Sequence, residues 1–217
     1  MSLTMRTTRL ADIRDELAAI GASRIEQLWS VRTADQLIEE GMREWERATL
    51  SFTTGYRAFA DGSVGGPLLQ HWSNAGPVLD NVHRDPRIVD LVGELTGTPM
   101  QPLQASYLYY RRGGYCGLHR DRAKFELQLL VAISGPVGPL TIHPDLAGMT
   151  ADELVNLCNA GDAPKGQQIH FPQFGAVVLR GSAVPHARPM YIGDQLVVVA
   201  GLNYRRMCER RALRAER

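Results

Sequence analysis

The chain has 217 residues, 44% of them hydrophobic and 22% charged, which is typical of a globular protein that buries a substantial core. Its 24 basic and 23 acidic side chains give a net charge of +1, so no overall field favours nucleic acid or a membrane surface as a partner. Cys116, Cys158 and Cys208 are widely spaced, and there is no apolar signal segment or membrane-length run, so we expect a cytoplasmic protein without disulfides.

The N-terminal part of the chain is predicted to be helical. Apolar residues at helical spacing over residues 8–20 predict one helix that ends at Gly21, and residues 22–29 are predicted to form a short second helix. Thr33 resembles an N-cap before a third helix over residues 34–48. We expect these helices to support one face of a sheet.

Residues 52–77 are rich in glycine and aromatic side chains and show no sustained period. One interpretation is a surface loop with one or two strands. The other is a cover over an active site, since loops on a rigid scaffold often carry specificity. In that case Tyr56, Arg57, His71 and Trp72 are candidate substrate contacts.

The first of two His-x-Asp sequences is His83-Arg84-Asp85. Asp85 followed by Pro86 is typical of an N-cap and first helical residue, and the helix that follows is closed by Gly97. A capping carboxylate uses its oxygens on backbone N–H groups. This pair is therefore predicted to be structural and not a metal site.

The second half of the chain is predicted to be mostly strand, with a short helix opened by a capping box at Thr150. The predicted strands are residues 101–112, 125–134, 139–144, 175–181 and 195–204. Most of them lie too close together for the helical crossovers of a parallel sheet. We therefore predict a mainly β fold with flanking N-terminal helices: a double-stranded β-helix (jelly-roll, cupin-like). Residues 1–217 form one domain in this prediction, with 1–100 as helical support and cover and 101–206 as the core.

The second His-x-Asp sequence, His119 and Asp121, follows a predicted strand and a glycine-rich bend. Alternate residues of a strand point to the same face, so an imidazole and a carboxylate are directed together. His186, 67 residues further on, is the best candidate for a third ligand. Two histidines and one carboxylate leave other coordination positions open, which is the arrangement of non-haem Fe(II) oxygenases.

The segment 106–206 resembles the core of the Fe(II)/2-oxoglutarate-dependent oxygenases, with features of the prolyl 4-hydroxylase-like and phytanoyl-CoA hydroxylase-like branches. The matching positions are Tyr110, Gly113, His119, Asp121, Phe174, Gly175, the run AVVLRGS over 176–182, His186, Pro189 and Gly193. The resemblance implies Fe(II), O2 and 2-oxoglutarate as cofactor and cosubstrates. It also implies decarboxylation of 2-oxoglutarate to succinate, coupled to hydroxylation or another oxidation of a small-molecule or carrier-bound substrate.

One position departs from the pattern of the family. The arginine or lysine that usually binds the distal carboxylate of 2-oxoglutarate corresponds to Gln195, which is uncharged. Arg188, two residues past His186, is expected to replace it, because a residue at that place touches the cosubstrate in phytanoyl-CoA hydroxylase-like enzymes. Gln195 or Gln128 is a candidate second contact. An ordinary surface arginine at a strand end is the alternative.

Other polar residues near the motif leave further alternatives open. The hydroxyl of Tyr110 is a candidate cosubstrate contact or part of the core, and Arg112 and Arg120 are candidate contacts to an anionic substrate or solvated charges. Two other functions fit the same barrel. One is a cupin-like binding or sensor protein without turnover, and the other is a hydrolase or isomerase that uses Zn(II) or Mn(II).

Overall fold

The computed structural model describes residues 7–207, so Cys208 lies outside the described part. The helices are α1 (Thr7–Ile20), α2 (Val31–Glu44), α3 (Pro77–Arg84), α4 (Pro86–Thr96) and α5 (Ala151–Ala160), with 3-10 turns at Trp45–Arg47 and Pro144–Leu146. None of the helices described is long and apolar enough to cross a membrane.

The strands are more numerous than the sequence predicts. They are β1 (Ala22–Ile25), β2 (Thr49–Thr53), β3 (Arg57–Ala58), β4 (Val64–Gly65), β5 (Leu68–Asn74), β6 (Met100–Tyr110), β7 (Tyr115–His119), β8 (Leu127–Ser134), β9 (Leu140–Ile142), β10 (Gln167–Ile169), β11 (Ala176–Leu179), β12 (His186–Arg188) and β13 (Val197–Arg206).

Eleven strands form one antiparallel sheet in the order β1-β11-β8-β13-β6-β5-β7-β12-β9-β10, with β2 added to the side of β5, and β3 pairs with β4 as a separate hairpin. β5 connects the two halves of this sheet, because Leu69 pairs with Tyr115 of β7 and His71 pairs with Tyr109 of β6. The sheet folds over at this point into a nearly closed barrel. The predicted mainly β, double-stranded β-helix fold with flanking helices is confirmed.

Alternate residues of the strands supply two separate cores. Val197 and Val199 of β13 point into the barrel, where they pack with Tyr110, Leu130 and other apolar side chains. Their neighbours on the same strand point outward to the helices, for example Val198. Both faces of β13 are therefore buried, which explains its continuous apolar run.

The helix predicted over residues 22–29 is wrong, because residues 22–25 form the strand β1 and residues 26–29 belong to neither a helix nor a strand. Ala22 and Ile25 are fully buried at the edge of the sheet, and β1 pairs with β11 over all four of its residues. Residues 1–100 are likewise not only helical support, because β5 is an integral strand of the barrel. The N-cap of α2 is Ser30 and not Thr33, since the Ser30 hydroxyl accepts a hydrogen bond from the Thr33 backbone N–H at 3.2 Å.

The capping predictions for α4 and α5 are confirmed. Asp85 accepts a hydrogen bond from the backbone N–H of Arg87 at 2.9 Å, and Thr150 with Glu153 forms a capping box. His83, the other half of the first His-x-Asp sequence, is buried, with its Nε2 2.9 Å from the carbonyl oxygen of Asn203. This pair therefore belongs to helix ends and to the packing of α3 against the sheet.

Candidate metal centre

His119 and His186 are direct partners in the antiparallel pairing of β7 with β12, so both imidazoles leave the sheet on the same face. Their ring centroids lie 4.1 Å apart. Asp121 follows β7 and is fixed by its backbone N–H, which donates to the carbonyl oxygen of Gly181 at 2.9 Å. The structure thus brings together three side chains from two distant parts of the chain.

The donor atoms of these three side chains are spaced to hold one cation. One potential ligand atom from each residue lies within 4.8 Å of the others. Oδ1 of Asp121 is 3.6 Å from Nε2 of His119, and Oδ2 is 3.8 Å from Nε2 of His186. These separations are too long for hydrogen bonds but admit an ion bound at about 2.1 Å from each atom.

Hydrogen bonds to the other ring nitrogens present both Nε2 atoms to a metal. Nδ1 of His119 is 2.9 Å from the carbonyl oxygen of Gly117, and Nδ1 of His186 is 3.0 Å from that of Val184. A carbonyl can only accept, so each Nδ1 carries a proton, and each Nε2 has a free lone pair when the imidazole is neutral. Partners of this kind orient metal-binding histidines in proteins.

Burial and charge act differently on the three candidate ligands. Burial opposes protonation of His119, but Cys116 and Asp121 outweigh it and raise the pKa of His119, so metal binding would displace a proton from this imidazole. Burial, together with the nearby His119, lowers the pKa of His186 to about 4, so this imidazole is neutral at physiological pH. Burial opposes ionisation of Asp121, but the two histidines outweigh it and the pKa of the carboxyl group is lowered. Oδ2 of Asp121 is buried and has no hydrogen-bond partner among residues 7–207. A buried carboxylate oxygen without a partner is costly unless a cation binds it.

Gly181 makes room for the carboxylate. A Cβ at this position would lie 2.1 Å from Oδ2 of Asp121 and 3.2 Å from Cε1 of His186. The sequence places Gly181 within the run that resembles the oxygenases, but its role depends on a contact across 60 residues of chain.

Arg188 lies on β12, two residues from His186, and is buried. Its guanidinium carbon is 4.3 Å from the ring centroid of Tyr110 and 5.7 Å from that of Phe171. Burial lowers the pKa of Arg188, and among residues 7–207 no carboxylate pairs with it. The hydroxyl of Tyr110 donates to Oε1 of Gln70 at 2.8 Å, so Gln70 is a further polar residue here. Nothing in the sequence distinguishes Gln70 from other polar residues on strands.

The two glutamines expected beside Arg188 are placed elsewhere. Gln195 is exposed before the start of β13. The amide of Gln128 donates to Oδ1 of Asn203 at 2.7 Å, on the strand pair β8–β13. The structure therefore brings Tyr110 to Arg188, but it gives Gln128 a partner of its own and leaves Gln195 at the surface.

The candidate substrate contacts are also dispersed. The guanidinium of Arg112 lies 2.6 Å from Asp194 on the surface, and Trp72 lies opposite Leu108 on the pair β5–β6. Tyr56 packs with Leu118 and Leu154 behind the ligand-bearing strand.

Arg120 lies between two of the candidate ligands but points away from them. It is 9% exposed, and its guanidinium donates to the carbonyl oxygens of Met149 at 2.8 Å, Gly62 at 3.4 Å and Leu146 at 3.5 Å. Burial lowers its pKa. A side chain enclosed in this way is not available to a substrate, so the geometry indicates a structural role.

Comparisons with known proteins give a result for structure but not for sequence. No protein-family model matches the chain, and no curated protein matches it in sequence. The non-haem α-ketoglutarate-dependent epimerase SnoN from nogalamycin biosynthesis superposes with a TM-score of 0.68 at 13% identity, covering 91% of this chain and 82% of SnoN.

Two further crystal structures have the same fold. HygX from Streptomyces hygroscopicus, with nickel, 2-oxoglutarate and hygromycin B bound, gives a TM-score of 0.62 at 12% identity, over 90% of this chain and 87% of HygX. A prolyl-4-hydroxylase from Pseudomonas putida gives 0.59 at 13% identity, over 92% of this chain and all of the hydroxylase. The chain therefore has the double-stranded β-helix fold of the Fe(II)/2-oxoglutarate-dependent oxygenases, and it carries a His-Asp-His group within that fold.

Proposed function

We propose that this protein is an Fe(II)- and 2-oxoglutarate-dependent dioxygenase that hydroxylates or otherwise oxidises a small-molecule or carrier-bound substrate. The observation that supports this most directly is the position of Arg188 relative to the three candidate ligands. A buried guanidinium without a carboxylate partner lies two residues along the strand from His186. An anionic cosubstrate that also chelates the metal would supply the missing partner.

His119, Asp121 and His186 would hold the iron. Two neutral imidazoles and one carboxylate suit Fe(II) and leave adjacent coordination positions open. Bound iron, with O2, would supply the oxidising chemistry, in which 2-oxoglutarate is decarboxylated to succinate and the second oxygen atom is transferred to the substrate. The side chains of this protein do the binding and orienting.

Arg188 would bind the distal carboxylate of 2-oxoglutarate. Residues i and i+2 of a strand are roughly 6.7 Å apart, which is comparable to the length of a five-carbon dicarboxylate. The fork of a guanidinium pairs with a carboxylate through two parallel hydrogen bonds. Tyr110, which stacks on Arg188, would hold the guanidinium in place and close one side of the pocket to water.

The substrate is proposed to be small or presented on a carrier. SnoN has been solved with Fe3+, α-ketoglutarate and nogalamycin RO, and HygX with hygromycin B, so two proteins of this fold bind small molecules.

The described cysteines, Cys116 and Cys158, are both free, which supports a reducing cytoplasm as the compartment.

The test is an anaerobic titration of metal-free protein with Fe(II) and then with 2-oxoglutarate. We expect the weak visible charge-transfer band of a chelated 2-oxo acid in the wild type and its loss in His119→Ala. His170→Ala is the matched control, since His170 is exposed. Iron binding without a band would exclude 2-oxoglutarate and leave the binding or sensor role. Tight binding of Zn(II) or Mn(II) with O2-independent turnover would favour a hydrolase or isomerase.

A further inference from the structure

The hairpin β3–β4 is connected to the strand that carries the metal ligands. The backbones of Val64 and Arg120 exchange two hydrogen bonds, each 3.0 Å long. In an antiparallel pair this register puts Gly65 opposite His119 and Ser63 opposite Asp121. Within the hairpin Arg57 pairs with Gly65. One row of residues therefore crosses four strands: Arg57, Gly65, His119 and His186.

Residues paired across strands point to the same face of a sheet. The packing of the opposite face agrees with this register, because Val64 clusters with Leu118 and Leu154 on the side away from the metal ligands. Arg57 and Phe59 therefore lie on the same side as His119 and Asp121. Gly65 lies between Arg57 and His119, and because it has no side chain the ring of Phe59 can pack over it.

The candidate ligands next to this hairpin are more exposed than the one on β12, and we call this exposed part of the centre the opening. The side chains of His119 and Asp121 are 21% and 15% exposed, whereas that of His186 is 4% exposed. A substrate that reaches the metal would therefore approach past the hairpin.

Two arginines are gathered on one aromatic ring at this opening. The guanidinium carbons of Arg57 and Arg122 lie 4.4 Å and 4.6 Å from the ring centroid of Phe59. The turn that carries Phe59 is fixed by Asp61, whose carboxylate accepts hydrogen bonds from the backbone N–H and the hydroxyl of Ser63. A Cβ on Gly65 would lie 3.1 Å from the Phe59 ring, so the glycine lets the ring lie across the hairpin.

The positive charges of Arg57 and Arg122 are not fully compensated by neighbouring carboxylates. Arg122 has a carboxylate neighbour, Asp61, at 3.3 Å. Within the described part of the chain no carboxylate pairs with Arg57. Two cations on one ring, with a carboxylate beside only one of them, leave a net positive charge beside the opening.

We propose that the substrate of this site carries a carboxylate or phosphate group, which Arg57 and Arg122 bind while the rest of the substrate extends past the Phe59 ring toward the metal. This inference rests on the proposed oxygenase function and names the chemical class of its substrate. Two strand spacings separate Arg57 from His119, so the anionic group would lie roughly 10 Å from the metal ligands. Guanidinium forks suit both kinds of oxyanion.

The first experiment needs no metal and no turnover. Metal-free protein labelled with 15N-arginine is titrated with inorganic phosphate at constant ionic strength, and the Nε–Hε signals of Arg57 and Arg122 are assigned by their loss in Arg57→Gln and Arg122→Gln. We expect both signals to shift and to saturate with one dissociation constant. Loss of a charge-assisted hydrogen bond should raise that constant about tenfold in Arg57→Gln.

Arg84→Gln is the matched control for this titration, because Arg84 is an exposed arginine on α3 that pairs with Asp80 at 2.9 Å. We expect the phosphate dissociation constant of this variant to equal that of the wild type. Arg57 and Arg122 signals that move no more than the Arg84 signal would overturn the inference, as would an unchanged constant in Arg57→Gln.

The second experiment places the anion relative to the metal. In protein loaded with Mn(II) and 2-oxoglutarate, 31P relaxation of inorganic phosphate should be enhanced at a distance of roughly 10 Å, and the enhancement should fall in Arg57→Gln and Arg122→Gln. Phosphate bound by the arginines but not relaxed would place them outside the substrate site and overturn the inference. If the metal or 2-oxoglutarate fails to bind before phosphate is added, that result contradicts the proposed oxygenase function and not the inference about the substrate.

Discussion

Arg188 is the residue on which the cosubstrate assignment depends. No carboxylate among residues 7–207 pairs with this buried guanidinium, which is unfavourable for a cation and supports the proposed anionic ligand. We expect Arg188→Met to raise the dissociation constant of 2-oxoglutarate by about 30-fold or more, since removing one member of a buried charge pair costs about 2 kcal/mol or more. The charge-transfer band of the Fe(II) complex measures this constant directly.

Gln195→Ala is the informative comparison for Arg188→Met. The family pattern points to position 195, but the structure leaves Gln195 exposed. We expect the 2-oxoglutarate constant of Gln195→Ala to stay within about twofold of the wild type, a difference below 0.5 kcal/mol. The reverse result, with weaker 2-oxoglutarate binding in Gln195→Ala and unchanged binding in Arg188→Met, would mean that the residue at position 195 binds the cosubstrate, as in the usual pattern of the family.

The close approach of Gly181 to Asp121 leads to a prediction about the affinity of the site for a metal ion. A methyl group at this position would collide with Oδ2 of Asp121 and displace the carboxylate from the two histidines. We expect Gly181→Ala to weaken Mn(II) binding, measured by electron paramagnetic resonance, by about tenfold or more, corresponding to at least 1.4 kcal/mol. Gly148→Ala is the control, since a Cβ there meets nothing within 4 Å. Equal affinities in both variants would mean that Asp121 is not a ligand.

Among the structural elements, the attachment of the hairpin β3–β4 depends on Arg120. Its guanidinium joins the ligand-bearing strand to Gly62 of the hairpin turn and to Leu146 and Met149 before α5. We expect Arg120→Met to leave these carbonyl groups unsatisfied and to destabilise the protein by about 2 kcal/mol. Hydrogen exchange should accelerate in residues 57–66 and 144–150. The exposed Arg112, paired with Asp194, provides the control variant Arg112→Met; equal exchange in both variants would exclude this role of Arg120.

The secondary structure elements also show which features of the fold local sequence patterns can predict and which they cannot. The strands β6, β8, β11 and β13 and the caps of α4 and α5 follow from apolar runs and capping residues next to one another in the chain. Residues 22–29 do not, because a short apolar segment fits a helix or a strand equally well. The strand conformation of residues 22–25 is determined by the pairing of β1 with β11, which lies some 150 residues further along the chain.

The same limit applies to the site. Strand alternation is a local rule and predicts that His119 and Asp121 act together, whereas His186 is from the sequence only the best candidate for a third ligand. The structure brings all three together. From the sequence, Arg120 is either a candidate substrate contact or a solvated charge, because local spacing does not reveal the carbonyl oxygens around it. The row from Arg57 to His186 depends on the register between Val64 and Arg120, and no pattern within either segment specifies that register.

For the whole molecule, the two cores have different functions. The outer core, between the helices and the sheet, contains most of the large buried side chains, among them Tyr107, Leu37 and Leu79. The inner core fills the closed part of the barrel and ends at Tyr110, where the polar residues begin. Helix packing can therefore supply most of the stability while the barrel interior keeps room for a metal and its ligands.

Buried histidines couple the stability of the whole molecule to pH. Burial lowers the pKa of His83, His143 and His186, the last to about 4. In the unfolded chain each titrates near its ordinary pKa of about 6.5, so between these values the unfolded state binds more protons than the folded state. The free energy of unfolding of the metal-free protein should therefore fall as pH decreases from about 6.5 toward 4.

Urea unfolding of the metal-free protein at a series of pH values between 6.5 and 4.5 tests this dependence. Above this range the raised pKa of His119 has the opposite effect on the slope. Each histidine that remains neutral in the fold contributes at most about 1.4 kcal/mol per pH unit to the slope. We expect His83→Gln to lower the slope by up to that amount, because the glutamine amide can donate to the carbonyl of Asn203 without titrating. The exposed His170 gives the control variant His170→Gln, whose slope should match the wild type. A wild-type slope in His83→Gln would mean that His83 accepts a proton inside the fold, with α3 moving away from β13 to admit it.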